Sequence, residues 1–228
     1  GPVSPERSPE EGSEPSPRRL VFCDVDDTLI RCTSPADFLR YYLEGRHGPE
    51  GARQAEEFLV DLYGRVARGL PREEANREYH RAWRGRSVVE LETWARRWYA
   101  ERSKAADFYI AATAAELRRH RAEGAAVALV SGTFPPLLGP VAEEVGARFV
   151  LSARLERCGR VLTGGLIGPP AIGEGKRTLA RELLARHPHI DPADCHAYGD
   201  HPSDLPMLRT VGHPVMVAPD GTLAPPVC

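Results

Sequence analysis

Lysine is nearly missing from this chain. Of its 228 residues 30 are Lys or Arg, and only Lys104 and Lys176 are lysine, leaving 28 arginines. Where arginine serves as the generic surface cation, a lysine at a particular place is informative, because a compact ammonium makes point contacts that a guanidinium fork does not. Excess positive charge is missing too. Asp and Glu number 32, the formal net charge is −2, and no basic field exists to attract nucleic acid. No apolar run approaches the ~20 residues of a membrane span, and the polar, Pro-rich start does not resemble a signal peptide. Composition therefore excludes nucleic acid and membrane as partners. Cysteine is sparse and odd in number (Cys23, Cys32, Cys158, Cys195, Cys228). Without framework spacing this favours reduced thiols and a cytoplasmic location. Residues 1–18 hold almost no apolar side chains, which predicts a disordered tail.

Four short segments carry the chemistry. The first is Leu20 to Ile30, an apolar run that breaks into Asp24-Val25-Asp26-Asp27-Thr28. A continuous apolar run predicts a buried parallel strand, and its carboxyl end is where open α/β sheets bind ligands. Asp24 and Asp26 are one residue apart, so both reach one pocket from an extended chain. The second is Val127 to Thr133, a strand that ends in Ser131-Gly132, where a hydroxyl and the amides of a following helix hold a phosphate oxygen. The third is Gly173-Glu174-Gly175-Lys176. The fourth is Tyr198-Gly199-Asp200 followed by Ser203-Asp204, hard oxygen donors of the kind Mg²⁺ takes. Each alone also reads as a helix cap, a turn or an ordinary helix residue.

The rest of the chain sorts into two patterns. Between 34 and 104 aromatic and aliphatic residues recur at helical spacing: Phe38, Tyr41, Tyr42, Phe58, Leu62, Tyr63, Tyr79, Trp83, Trp94 and Trp98. Breakers at Gly48-Pro49, Gly69-Leu70-Pro71 and Gly85-Arg86-Ser87 divide them into four helices of a small bundle. After 105, strands and helices alternate. Helices are predicted at 106–122, 136–145, 175–186 and 203–210, strands at 126–130, 148–151, 194–198 and 214–217, and a hairpin near 152–167. The stretch from Pro219 on reads as a loosely packed end. Repeated αβ units predict a Rossmann-like, doubly wound parallel sheet, α/β in class, with helices on both faces. The expected organisation is a core of 19–33 and 105–228 interrupted by a helical cap at 34–104.

The ordered set Asp-x-Asp-x-Thr, strand-Ser, Lys and Gly-Asp-x-x-x-Asp resembles the haloacid dehalogenase-like hydrolases over about residues 19–218. Within them the chain is similar to the phosphoserine-phosphatase-like branch, through its helical insertion, Val130-Ser131-Gly132 and Ser203-Asp204-Leu205-Pro206-Met207-Leu208. The resemblance implies a Mg²⁺-dependent phosphatase of a small phosphorylated metabolite. Asp24 is then the nucleophile that becomes an aspartyl phosphate, and Asp26 is the acid and base. Ser131, Gly132, Lys176 and Thr28 belong to the phosphate site, Thr28 also supporting the turn. Asp24, Asp26 through its carbonyl, Asp200 and Asp204 belong to the metal site. Phosphoserine phosphatase, phosphomutase and a catalytically silent phosphate-binding protein are the alternatives on this fold. The branch reads the substrate ammonium with a Glu where this chain has Thr33, which argues against phosphoserine, with Asp37 as a substitute carboxylate. Arg31, Phe38, Tyr42, Arg65 and Arg68 are candidate readers of the leaving group.

Overall fold

The computed structural model describes residues 15–227. The expected tail lies outside these residues up to position 14. Residues 15–18 run along the body: Pro17 is buried, its carbonyl accepts from His189 Nε2, and Arg18 N–H donates to the Gly124 carbonyl at 3.0 Å.

Among the described residues eight strands and seven α-helices follow. In chain order they are β1 (Leu20–Cys23), α1 (Ser34–Ala67), α2 (Arg72–Arg81), α3 (Val88–Arg102), α4 (Ala111–Ala122), β2 (Ala126–Val130), α5 (Leu138–Val145), β3 (Phe149–Leu151), β4 (Arg154–Cys158), β5 (Val161–Ile167), α6 (Glu174–Ala185), β6 (His196–Gly199), α7 (Leu205–Leu208), β7 (His213–Val217) and β8 (Leu223–Ala224). The sheet runs β3-β2-β1-β6-β7-β8, parallel except for β8, while β4 and β5 form a separate hairpin.

The period of two in β1 accounts for the layering. Val21 and Cys23 join one apolar cluster with Leu117 of α4 and Val141 of α5. Leu20 and Phe22 join the other with Leu183 of α6 and Leu208 of α7. Both faces are covered, which is why β1 and β2 are apolar at every position. The doubly wound architecture is as the alternation predicts. β1 lies centrally, pairing Val21 with Val127 on one side and His196 on the other. This places Asp24, Ser131 and Asp200 at adjacent strand ends.

Three details depart from the sequence pattern. The helix expected from 106 starts at Ala111, because Phe108 and Ile110 are drawn into an extended pairing: Arg31 N–H donates to the Phe108 carbonyl and Ile110 N–H to the Leu29 carbonyl. The helix expected at 203–210 is a 3₁₀ turn, Pro202–Asp204, followed by the single turn of α7. The chain after Pro219 returns as β8 to pair Leu223 with Val217.

The helical segment carries its breakers where expected. Gly48 has φ 62° inside α1 and kinks it into two helices, so four helical rods precede the core's return. Their aromatic stripes face inward. Trp83 stacks on Phe134 with ring centroids 5.0 Å apart, and Phe38 lies 5.4 Å from Trp83 and 5.8 Å from Phe134. Phe134 belongs to the loop after β2, so the core inserts a fully buried ring into the helices. The β4–β5 hairpin reaches them too: Gly85 N–H donates to the Leu162 carbonyl and Leu162 N–H to that of Arg86.

Candidate active site

A cavity of about 360 Å³ opens between the carboxyl ends of the strands and helices α1 and α2. Its floor holds Asp24, Asp26, Ser131, Gly132, Lys176, Asp200 and Asp204, and its roof Leu62, Tyr63, Val66, Arg72, Asn76 and Tyr79. Asp24, Asp26, Asp200, Asp204, Ser131 and Lys176, singled out in the sequence, therefore meet at one place.

The loop after β1 makes this convergence. Val25 accepts backbone hydrogen bonds from Leu29 at 2.9 Å and Ile30 at 3.0 Å, and Asp27 takes a left-handed conformation at φ 58°. The chain curls back at once, and both Asp24 and Asp26 stay at the strand end. Asp24 Oδ1 accepts from its neighbour's amide, Val25 N–H, at 2.7 Å and from Lys176 Nζ at 2.8 Å. Lys176 stands in the first turn of α6, is 4 % exposed, and donates equally to Asp204 Oδ1 at 2.8 Å. Asp204 Oδ2 accepts from the amides of Asp200 and His201, each at 3.1 Å. Gly199 has to be glycine here, since a Cβ would lie 2.7 Å from Asp204 Cβ.

Thr28 takes a different place from the phosphate-ligand role expected of it. It is fully buried, does not line the cavity, and its hydroxyl lies 2.9 Å from Asp200 Oδ1 and 3.4 Å from Asp24 Oδ2. It orients carboxylates from beneath.

Electrostatics separate the acids. Burial pushes the Asp24 carboxyl well above its usual range, opposed by Lys176 and reinforced by Asp204 and Asp200. Burial acts on Asp204 in the same sense, but Lys176 and the two amides outweigh it and hold that carboxyl low. Burial likewise works against the Lys176 charge, yet Asp24 and Asp204 raise its pKa above the ordinary lysine value. Asp26 is pushed up to about 7 by burial, against hydrogen bonding from Ser34. Its Oδ1 is buried without a hydrogen-bond partner among the described residues.

Oxygens of Asp24, Asp200 and Asp204 lie within 4.8 Å of one another. Three carboxylates against one ammonium leave two negative charges uncompensated. A hard dication with oxygen donors fits that balance and relieves the pressure burial puts on Asp24.

The expected leaving-group readers are elsewhere. Phe38 and Tyr42 are fully buried among aromatic rings. Arg31 donates to the Pro219 carbonyl, and Arg65 pairs with Glu78 and Asp61. Asp37 accepts from Trp98 Nε1 at 2.8 Å and Arg102 Nε at 2.7 Å, so it does not substitute for a substrate-reading Glu. Thr33 does line the cavity, together with Arg72, the one guanidinium among the described residues there. Tyr63, Arg72, Asn76 and Tyr79 were missed by pattern reading. Apolar spacing marks a buried stripe on a helix but not which flank of that stripe overhangs a neighbouring lobe.

Comparison with known proteins finds relatives of this chain. The family model for haloacid dehalogenase-like hydrolase matches residues 21–209. A histidinol-phosphatase of Neisseria meningitidis is 29% identical over 216 residues, 90% of this chain and 93% of that protein. A phosphoserine phosphatase of Mycobacterium tuberculosis is 30% identical over 210 residues, 89% of this chain and 66% of that protein. Among solved structures, a Bordetella pertussis protein of unknown function superposes with TM-score 0.77 at 26% identity, covering 88% of this chain and 90% of the other. A substrate-bound phosphoserine phosphatase shares the fold with TM-score 0.60 at 18% identity, covering 88% and 85%. Among the described residues no helix is long and apolar enough to cross a membrane.

Proposed function

This chain belongs to the haloacid dehalogenase-like hydrolases, and on that premise we propose that it is a Mg²⁺-dependent phosphatase of a small-molecule monoester, working through an aspartyl phosphate on Asp24. The observation that carries the reading is the pairing of unlike carboxyls on one cavity floor. Asp24 is tied to the Lys176 ammonium at 2.8 Å, which opposes the upward push of burial on its carboxyl, while burial pushes Asp26 beside it up to about 7, where a carboxyl both gives and takes a proton near neutrality.

Chemistry follows from that difference. The Asp24 carboxylate attacks phosphorus, an O–P bond forms to it, and the ester O–P bond breaks. Asp26 gives its proton to the departing alkoxide, which is too basic to leave unaided. Asp26, now a carboxylate, takes a proton from water as the water attacks the acyl phosphate. Inorganic phosphate leaves and Asp24 is restored. Lys176 offsets the charge that builds between carboxylate and phosphoryl oxygens, and the Ser131 hydroxyl donates to one of those oxygens. Mg²⁺, held by Asp24, Asp200 and the Asp26 carbonyl with Asp204 in support, would let two anions approach.

The roof bears on the substrate. Among the described residues it presents Arg72, Asn76 and tyrosines, and no carboxylate; Asp27, which also lines the cavity, belongs to the loop after β1. The ammonium of phosphoserine, or of histidinol phosphate, has no ionic partner there. A monoester whose alcohol lacks an ammonium suits this roof better than either.

Phosphate release from a panel of phosphorylated amino acids, amino alcohols, sugars and aryl alcohols, with Mg²⁺ and then with EDTA, tests the reading. Metal-dependent turnover of at least one monoester is expected, and Asp24→Asn should lower it by more than about a thousandfold, as loss of a covalent nucleophile does. Release unaffected by EDTA or retained in Asp24→Asn overturns it.

A further inference from the structure

Asn76, on the first turns of α2, reaches across from the roof and donates through Nδ2 to the Gly132 carbonyl at 2.7 Å. A carbonyl only accepts, so the amide nitrogen is the atom that faces it. That carbonyl belongs to the same peptide unit as the Thr133 N–H, which donates to Ser131 Oγ at 3.1 Å. One rigid, planar peptide is thus gripped at its oxygen by the helices and at its nitrogen by the serine. Because Ser131 Oγ accepts from that N–H, its own proton is free to point into the cavity. Surroundings allow little freedom: a Cβ at Gly132 would lie 3.0 Å from Ile172 Cγ1, 3.1 Å from the Ala171 carbonyl and 3.4 Å from Asn76 Nδ2. Hydrogen bonds in series polarise one another, so a donor on the carbonyl strengthens the N–H that sets the serine.

We propose that Asn76 is a positioning residue that couples the seating of α1 and α2 over the cavity to the phosphate-binding competence of Ser131, through the Gly132–Thr133 peptide. With Asn76 engaged, the serine hydroxyl is aimed and phosphate is held. With Asn76 withdrawn, the carbonyl loses its donor and the hydroxyl its fixed direction. This rests on the phosphatase reading for its kinetic readout but not for its binding readout.

The test is a double-mutant cycle between Asn76→Leu, which keeps volume and removes the donor, and Ser131→Ala. Inorganic phosphate, which has no leaving group, is the probe, titrated calorimetrically in Mg²⁺ and used as a competitive inhibitor. Asn76→Leu should weaken phosphate binding by about three- to tenfold, the size of one hydrogen bond, and by less than twofold in the Ser131→Ala background. Asn76→Gln, which retains a donor, should recover part of the loss, and Tm should move little among the variants. Equal losses in both backgrounds overturn the coupling, as does a loss that appears only with substrates and depends on their alcohol, since Asn76 would then be reading the leaving group. A loss that simply tracks Tm also overturns it. If the native protein releases phosphate from no monoester, the phosphatase reading fails while the calorimetric cycle still decides this one.

Discussion

Replacing Lys176 by Met separates a buried counter-ion from a passive helix residue. Lys176 is 4 % exposed, and its ammonium lies 2.8 Å from Asp24 Oδ1 and 2.8 Å from Asp204 Oδ1. At an effective dielectric of about 20, each contact is worth roughly 6 kcal/mol of gross attraction, and desolvation of the three groups removes most of it. What remains when the cation alone is deleted is the cost of stranding buried carboxylates, about 3–5 kcal/mol. For a chain of this size that lowers Tm by roughly 6–20 °C. The loss should itself depend on pH. Without Lys176 the stranded carboxyls titrate above the unfolded value near 3.9, so protonating them restores stability. The deficit is small at pH 5 and grows toward pH 8, by up to about 1.4 kcal/mol per pH unit for each carboxyl still taking up a proton. Denaturant unfolding of native and variant protein in EDTA at both pH values measures it. A deficit below about 1 kcal/mol at pH 8, or one that does not change with pH, refutes the assignment of Lys176 as the counter-charge of this site. Asp204→Asn in the Lys176→Met background should recover part of the stability, because one stranded charge is then gone.

Asp26→Asn should slow alkyl phosphates by about two to four decades and spare an activated aryl phosphate, whose leaving group needs little protonation; steady-state kinetics on both substrate types measure the split, and equal losses would move the acid role elsewhere. Acid should destabilise the protein through its buried histidines. His80 and His120 are depressed to about 4, by burial first and for His120 also by His196 and the nearby arginines. Their contribution is complete above about 6.5 and is lost as pH falls toward 4, each costing about 2 kcal/mol at pH 5; His120→Gln should flatten the fall in Tm between pH 7 and 5. Native protein should turn over phosphoserine with a lower kcat/KM than its best substrate, and Thr33→Glu should raise phosphoserine selectively, by about one to two decades. A native preference for phosphoserine, or uniform damage by Thr33→Glu, contradicts the reading of the roof.

The floor of the cavity was legible because strand ends leave their mark in sequence. An apolar run of four or five residues that stops at Asp24 or Ser131, and the short strand that meets Gly199-Asp200, give both the strand and the side chain at its tip, and parallel packing brings the tips together. Lys176 stood out through the scarcity of lysine. The roof was not legible. Phe38 and Tyr42 belong to the apolar helical stripe, and for that reason they are in the aromatic core, not on the cavity. Asp37 was a plausible carboxylate by spacing, yet Trp98 and Arg102 claim it through contacts 61 and 65 residues away in sequence. Asn76 sits in Arg-Glu-Glu-Ala-Asn-Arg-Glu, which reads as a solvated helix face, and only the close approach of the loop after β2 gives it a partner. Extended pairing at 108–110 and the return strand β8 were likewise set by neighbours distant in sequence, which local propensity does not report.

Phe134, packed in a three-ring cluster with Trp83 and Phe38, and the β4–β5 hairpin, bonded to Gly85 and Arg86, tie the helices and the sheet into one unit. Excising α1–α3 would expose the ring and leave the hairpin edge unpaired, so neither piece inherits a finished core. Heat should therefore melt the molecule in a single calorimetric transition. Exchanging the helices for those of a relative, to retarget the enzyme, would have to carry the phenylalanine loop and the hairpin along as part of the graft.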